Sequence, residues 1–430
     1  MHKILDFYNQ LTKGKFGQDV LWSVGSLFFL AIGGISVNLI IIAFLGENAL
    51  GVFNQVYAVY AIFSQISVGG IQRSTLMYVS YNQNDRDICG EIATSAIFLV
   101  LVISVPTWII GSVLAIPLGQ LLDSPGFSQG LFFVLPGLLF FSINKVQLSV
   151  LNGLRAMRAH AILQALRFVL IPLVVAGIIL AGFDAPYLSL TFPISEAVLM
   201  VISGIYLFAV HIPLKSFSAF RNHFRGHLSF GLRGFFSGVL LRLNTRIDVL
   251  ILGLFASDAL VGVYSFSAML AEGFGEIPTA LRQNVDPIIG KHFADHHPQQ
   301  ITDLARRLRR YMYPTMGVLG LVAMLLFPFV FRPFLALESL FPTWLIFAII
   351  MLGVVINSGY KPFSGILLQS GRSGSYTIMI LALVSFNTIF NFLLIPAFGV
   401  YAAAIVTLTT HVLEVILLVA LSRRILHVAL

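Results

Sequence analysis

A single cysteine, Cys89, stands in this 430-residue chain, so no intramolecular disulfide can form and no stapled extracellular fold is available. Charge is nearly as scarce: Asp, Glu, Lys and Arg make up 10% of the residues, against about 25% in a soluble protein. With a hydrophobic content of 58% and a mean hydropathy of +0.92, that scarcity excludes an ordinary soluble protein. No polar stretch is long enough to form a separate soluble domain. The signatures of common catalysis are missing too: no G-x-x-x-x-G-K-[ST] phosphate loop, no H-E-x-x-H zinc pair, no G-x-S-x-G elbow. ATP-driven transport by this chain is thereby disfavoured. The connections assigned to the outer side, about a dozen residues or fewer, leave no acceptor domain for a membrane glycosyltransferase, polymerase or ligase.

What is present is apolar sequence in runs of roughly twenty residues, each long enough to cross a bilayer as a helix. There are about twelve, near 20–45, 51–78, 92–116, 129–151, 160–182, 187–210, 229–255, 258–286, 311–333, 341–368, 374–396 and 399–421. They predict an all-α, polytopic membrane protein. The formal charge of +8 could suggest nucleic acid, but its placement argues otherwise. Basic residues such as Arg86, Arg155, Arg158, Lys215, Arg225, Lys291, Arg372 and Arg423 occupy alternate connections and the C-terminus. Opposite connections carry mainly Glu47, Asp123, Asp184, Asp258 and Glu338. That asymmetry predicts both termini in the cytoplasm, and the run Arg306–Arg310 would also attract anionic lipid headgroups. Residues 1–18 lack an apolar core long enough for a cleavable signal. Ile4, Leu5, Phe7, Tyr8 and Leu11 suit either a short interfacial helix or a disordered leader.

The polar connection 211–228 divides the runs six and six. The expected organisation is an N-terminal segment 1–18, a bundle 19–210, a linker 211–228, a bundle 229–421 and a tail 422–430. The halves resemble each other where their first two helices meet. Asn38-Leu-Ile-Ile-Ile-Ala-Phe-Leu-Gly46 parallels Asp248-Val-Leu-Ile-Leu-Gly-Leu-Phe-Ala256, and Gly51-Val52-Phe53 parallels Gly262-Val263-Tyr264. At the same offset Asn54 matches Ser265, Gln65 matches Glu276 and Gln72 matches Gln283. Parallel repeats are common in transporters, with substrate sites between them. Pro278, just after Glu276, and Pro106, Pro136, Pro172 and Pro193 are expected to kink their helices, for gating or simply for packing.

Intramembrane charge is the remaining source of chemistry, because an ionised group in a spanning helix is costly and normally faces protein or a wet cavity. Between Gly262 and Asp286, Ser265, Glu272, Glu276, Thr279, Gln283 and Asp286 share one helical face. On the preceding helix Arg242 and Arg246 share a face by i,i+4 spacing, with Arg233, Ser237, Asn244 and Asp248 opposite. Arg242 at the depth of Glu272 and Glu276 would make either a substrate or coupling-ion site or a buried ion pair that fixes packing. Arg73, Lys145, Arg167, Arg233, Arg282 and Lys361 sit near the predicted cytoplasmic ends of their helices, with Gln164 on the face of Arg167 and Asn357 on that of Lys361. They would line a cationic vestibule for phosphate or carboxylate oxygens, or snorkel to the headgroups. Asn54, Gln65 and Gln72 make a second, uncharged polar stripe.

Leu45-Gly46-Glu-Asn-Ala-Leu-Gly51-Val-Phe53 resembles the L-G-x-x-x-x-G-x-[FY] opening of polysaccharide flippases. Phe230-Gly231-Leu232 with Asp248–Phe255 and Val261-Gly-Val-Tyr264 resembles their second-half signature. Leu151-Asn152-Gly153-Leu-Arg155 and Leu367-Leu-Gln-Ser-Gly371-Arg372 resemble two of their turns. The chain is identified on these residues as similar to the multidrug/oligosaccharidyl-lipid/polysaccharide (MOP) exporter superfamily, in its Wzx-like polysaccharide branch. The resemblance implies two six-helix bundles in a MATE-like V around a central cavity. It implies alternating-access flipping of an undecaprenyl-diphosphate-linked oligosaccharide across a bacterial inner membrane, not enzymatic turnover. A cation-coupled multidrug exporter is the alternative. Arg73, Lys145, Arg167, Arg233, Arg242, Arg246, Arg282 and Lys361 would bind substrate; Asp248, Glu272, Glu276 and Asp286 would couple an ion or hold those bases. No cofactor or metal is expected beyond coupling to H+ or Na+. Expected partners are the lipid-linked oligosaccharide and membrane lipids, with a polysaccharide polymerase and chain-length proteins as further candidates and no nucleic acid.

Overall fold

The computed structural model describes residues 15–213, 215, 220–295 and 297–430, with side chains from residue 33 onward apart from scattered positions that include Arg233 and Gln283. Most of the 1–18 segment, part of the 211–228 linker and the side chains of Arg233 and Gln283 lie outside the described residues. Within them no strand occurs, as hydrocarbon demands, because a spanning segment must satisfy its own backbone. The helices are α1 (Lys15–Val68), α2 (Ile71–Tyr81), α3 (Arg86–Leu121), α4 (Pro125–Val134), α5 (Gly137–Gly153), α6 (Met157–Leu180), α7 (Thr191–Tyr206), α8 (Phe220–Asn244), α9 (Ile247–Phe255), α10 (Asp258–Ala294), α11 (Pro298–Phe331), α12 (Leu337–Ser358), α13 (Ile366–Gln369) and α14 (Ser373–Leu426). Capping is local. Asp85 Oδ1 accepts from the backbone N–H groups of Asp87 and Ile88, both at 3.0 Å, and starts α3.

Seven helices among the described residues are long and apolar enough to span, or eight if the bent pair α4–α5 is one span. Two of them, α1 and α14, are 54 residues long and fold at Gly46 (φ 82°) and Gly399 (φ 58°), backbone conformations that a Cβ resists. Each therefore supplies two spans. α8–α9 and α10, which carry more charge, complete twelve. Exposed apolar stripes such as Val318, Leu321, Leu325 and Phe329 on α11 are the lipid-facing surfaces.

The breaks fall where glycine or a capping pair stands rather than where most prolines do. Pro106, Pro172 and Pro278 lie inside continuous helices, and Pro193 sits in the first turn of α7, where its missing N–H costs nothing. Of the five prolines expected to kink, only Pro136 marks a break, the 43° bend between α4 and α5. The second span breaks at Gly69-Gly70 and the tenth between Ser358 and Ile366. The seventh breaks at Thr245-Arg246, where the Thr245 hydroxyl turns back to the carbonyl of Arg242 at 3.0 Å.

The chain packs as two compact units, Ser36–Gly262 and Val263–Leu430 with the N-terminal helix up to Ile35. In the first, α5 packs against α2, α3 and α7, and α8 lies on α2 and α3. In the second, α12 packs between α11 and α14. The unit boundary falls one spanning segment after the 211–228 connection. The two glycines of the internal repeat meet within the first unit, and they do so reciprocally. A Cβ on Gly51 would stand 1.7 Å from the carbonyl oxygen of Asp258, and one on Gly262 would stand 2.3 Å from that of Glu47. Beside them Asp258 accepts from Gln55 Nε2 (2.8 Å) and from the Ser124 hydroxyl (2.9 Å).

His227, ahead of the 229–255 run, ties α8 to α2. It is fully buried, its Nδ1 lies 2.7 Å from Ser74 Oγ, and Tyr78 packs edge-on against its ring. Burial, with a smaller push from His223, takes its pKa from 6.5 down to about 4. Two outcomes are expected. Gly51→Leu or Gly262→Leu lowers stability in detergent by more than about 2 kcal/mol, whereas Gly177→Ala, which meets nothing within 4 Å, raises it by roughly 0.5–1 kcal/mol; unfolding curves measure both. Between pH 6.5 and about 4 the unfolded His227 holds a proton that the folded one does not, so stability falls with falling pH. His227→Gln should flatten that part of a melting-temperature profile.

Candidate functional site

The first unit gathers its intramembrane charge around one carboxylate that sequence reasoning overlooked. Glu196 of α7 is 3% exposed. Its Oε2 accepts from Asn144 Nδ2 of α5 (2.7 Å) and from an Arg167 Nη of α6 (2.9 Å), while Oε1 lies 2.8 Å from Arg167 Nε. The guanidinium thus holds Glu196 by one hydrogen bond from Nη and by a close charge contact at Nε that makes no hydrogen bond. Asn144 is fixed in turn by donating to the Glu196 carbonyl (2.8 Å), with Ser203 bridging Asn144 and Gln147.

Around this pair the charge is not balanced. Lys145 follows Asn144 on α5 and lies within electrostatic reach of both Arg167 and Arg242, with Glu196 as the carboxylate acting on it. Its ammonium stands 5.2 Å from the Phe141 ring centroid, and the Arg167 guanidinium stands 5.3 Å from the same ring. Arg246 lies 5.2 Å over Tyr57, and Tyr57, Tyr60 and Phe53 all stack on Phe192. The arrangement is an aromatic wall carrying bases in excess of acid.

The second unit repeats the motif with the opposite balance. Glu414 of α14 is 9% exposed. It accepts from Asn357 Nδ2 of α12 (2.6 Å) and, through both oxygens, from Lys361 Nζ (2.9 and 3.1 Å). Asn357 Nδ2 also lies 3.2 Å from His411 Nδ1. Lys361 reaches Glu414 because it follows the break after α12. The same ammonium acts on Glu276 of α10, so one lysine here faces two carboxylates.

Other predicted residues disperse. Arg242 precedes the break at Thr245 and Arg246 follows it as the residue before α9, so the two do not share one helical face, and the opposite face drawn through Asn244 and Asp248 is interrupted as well. Asp248 is buried and accepts from the adjacent Val249 N–H at 2.9 Å. Arg282 and Asp286 pair with each other at 3.3 Å, Asp286 packing on Gly365. Arg73 is exposed in the first turn of α2, and Glu272 is half-buried on α10. Asn54 donates to Asn38 (3.2 Å), Gln65 lies beside Gly238, Gln72 is half-buried on α2, and Gln164 is exposed, its Nε2 3.2 Å from His160 Nε2. Glu196 and Glu414 were findable. Each is the lone carboxylate of an apolar run, and Ile143-Asn144-Lys145 and Ile356-Asn357 mark their donors.

Residues 16–272 match the sequence profile of a family described as polysaccharide biosynthesis protein. The chain belongs to that family. Its fold is that of the MOP superfamily. It is similar to an inward-facing multidrug-resistance MATE transporter (TM-score 0.81, 14% identity, covering 95% of this chain and 98% of that one). It is also similar to the lipid II flippase MurJ in an inward closed conformation (0.74, 15%, 93% and 87%), and to a MOP transporter from Pyrococcus furiosus whose binding pocket is described as reversed in polarity (0.64, 16%, 95% and 96%). No curated protein matches the sequence. The chain is thus a multi-pass membrane protein of the polysaccharide biosynthesis family with the fold that these transporters share.

If Arg167 and Glu196 are committed to each other, Arg167→Ala or Glu196→Ala alone should cost about 3–5 kcal/mol by leaving a buried charge unpaired. Arg167→Met with Glu196→Leu should restore most of it in the same unfolding assay.

Proposed function

We propose that this transporter flips an undecaprenyl-diphosphate-linked oligosaccharide from the cytoplasmic to the periplasmic leaflet of a bacterial inner membrane. Surface polysaccharide assembly, O-antigen or capsule among its forms, would consume the product. The observation that carries this reading is the base excess in the first unit: Lys145 lies within electrostatic reach of Arg167 and Arg242, with Glu196, already paired to Arg167, as the carboxylate acting on it. Uncompensated positive charge within a spanning region is costly, and a diphosphate supplies the missing negative charge with oxygens that suit guanidinium and ammonium donors. Sugars would stack on the aromatic rings of the same wall, Tyr57 and Tyr60 among them. The family match, to a polysaccharide biosynthesis protein, supports the same cargo class. A multidrug exporter of organic cations shares the fold, but a base-rich cluster would repel such cargo.

On this reading both termini are cytoplasmic, and a polymerase and chain-length proteins act on what the transporter delivers. The test is charge reversal at residues with no hydrogen-bonded carboxylate among the described residues. Lys145→Glu and Arg242→Glu should each lower surface polysaccharide at least about tenfold, equivalent to 1.4 kcal/mol or more. Membrane insertion should be unchanged and lipid-linked carrier should accumulate in the cytoplasm-facing leaflet. Surface polysaccharide at wild-type level in both variants would overturn the assignment, and a changed drug susceptibility would favour the multidrug reading.

A further inference from the structure

The basic run at the start of α11 belongs to neither buried cluster, and its place on the helix points to a ligand of its own. α11 is 34 residues long, about 51 Å at 1.5 Å per residue, whereas about 20 residues suffice to cross the hydrocarbon. Counted back from Phe331, the spanning part ends near Tyr311, which puts Arg306–Arg310 in the headgroup layer. Tyr311, 55% exposed, stands in line with Val318, Leu325 and Phe329 on the lipid-facing stripe, at a depth that tyrosine favours. Arg307, four residues before Tyr311, and Arg310, four before Pro314, are exposed and extend that stripe. The opposite side of the helix fixes its rotation. Ile301, Thr302 and Ala305 are buried there. Arg309 Nη1 donates to the Tyr360 hydroxyl at 2.7 Å with its guanidinium 5.0 Å from that ring centroid, and the Tyr313 hydroxyl donates to the Ile356 carbonyl at 3.2 Å. Arg306 pairs with Asp303 at 3.4 Å. Arg307 and Arg310 have no hydrogen bond or ion pair among the described residues. Pro314, inside the helix, has no N–H to give the Arg310 carbonyl, so an acceptor is left at the same depth.

We propose that Arg307 and Arg310 form a binding site for an anionic glycerophospholipid of the surrounding leaflet. Its phosphate sits between the two guanidiniums, whose forks suit phosphate oxygens. Their i,i+3 spacing puts the Cβ atoms about 5–6 Å apart, close enough for one phosphate to meet both. Tyr311 lies against the glycerol and ester region, and the acyl chains run along Val318, Leu321 and Leu325. A headgroup hydroxyl can donate to the Arg310 carbonyl, so phosphatidylglycerol satisfies charge and hydrogen bonding together. Phosphatidylcholine brings the same phosphate with a cation of its own and no such donor. Arg309, on the other side of the same turn, holds Tyr360 in the break after α12. A lipid seated at Arg307 and Arg310 therefore clamps that turn from both sides and steadies the joint. The inference rests on the chain spanning a bilayer and not on the identity of its cargo.

The test uses the full chain in detergent micelles carrying equal amounts of dioleoylphosphatidylglycerol and dioleoylphosphatidylcholine, read by native mass spectrometry. The wild type should retain phosphatidylglycerol in clear preference. Arg307→Gln with Arg310→Gln should lower that retention at least about tenfold, each arginine near an anionic surface being worth roughly fivefold, and should leave retained phosphatidylcholine unchanged. Arg423→Gln with Arg424→Gln removes two exposed cations from the last turn of α14 and should keep the wild-type preference, which separates a site from general attraction to positive charge. Because Arg307 and Arg310 are exposed, the lipid-free melting temperatures of wild type and variant should coincide, and added phosphatidylglycerol should raise only that of the wild type. A wild type without preference, equal phosphatidylglycerol retention by the Arg307/Arg310 variant, or an equal loss in the Arg423/Arg424 variant overturns the proposal. Displacement of the retained lipid by equimolar farnesyl diphosphate would assign the two arginines to a polyprenyl diphosphate instead and overturns it as well.

Discussion

An ionised side chain inside a bilayer must be met by opposite charge and by hydrogen bonds, and the functional architecture of this protein follows from how that requirement is satisfied. Glu196 and Glu414 are each received by an asparagine and a base. In both units the asparagine comes from the fourth span of its half and the glutamate from the sixth, so the internal repeat extends from backbone motif to site chemistry. The bases differ. Arg167 meets Glu196 with a planar guanidinium, through an Nη hydrogen bond and a charge contact at Nε, while Lys361 meets both oxygens of Glu414 as a point charge.

The two clusters differ in sign as well: Lys145 and Arg167 share Glu196 in the first unit, and Lys361 stands between Glu414 and the electrostatic influence of Glu276 in the second.

Movement needs joints, and the chain places them at glycines and polar turns. Gly69-Gly70 breaks the second span where Gly231 of α8 crosses within contact, a Cβ there standing 2.6 Å from the Gly69 carbonyl. The break from Ser358 to Ile366 frees Lys361 to leave the helix axis. Prolines inside α3, α6 and α10 are absorbed without interruption, because a lost i to i−4 bond leaves the rest of a long helix intact.

Much of this was legible beforehand. Spacing of apolar runs sufficed for the class and span count, since a bilayer fixes the length a helix must have. The twin motifs at Gly51 and Gly262 announced a repeat that the coordinates extend to a reciprocal contact, each glycine seating the other's helix. Lys145 and Arg167 were recognisable as intramembrane bases, and Lys361 as one beside Asn357. What residue spacing left undecided was partnership. Helical periodicity grouped Arg242 with Arg246 and paired charges along one helix, but it cannot register a break at Thr245 or a carboxylate arriving from another span. Glu196 lies far in sequence from Asn144, as Glu414 does from Asn357, and only packing of α5 against α7 and of α12 against α14 brings them together. Composition and periodicity determined that this chain spans a membrane and carries buried charge. Tertiary packing alone decided which charges cancel and which are left to bind, because electrostatic energy in a low-dielectric interior depends on distance in space and not on distance along the chain.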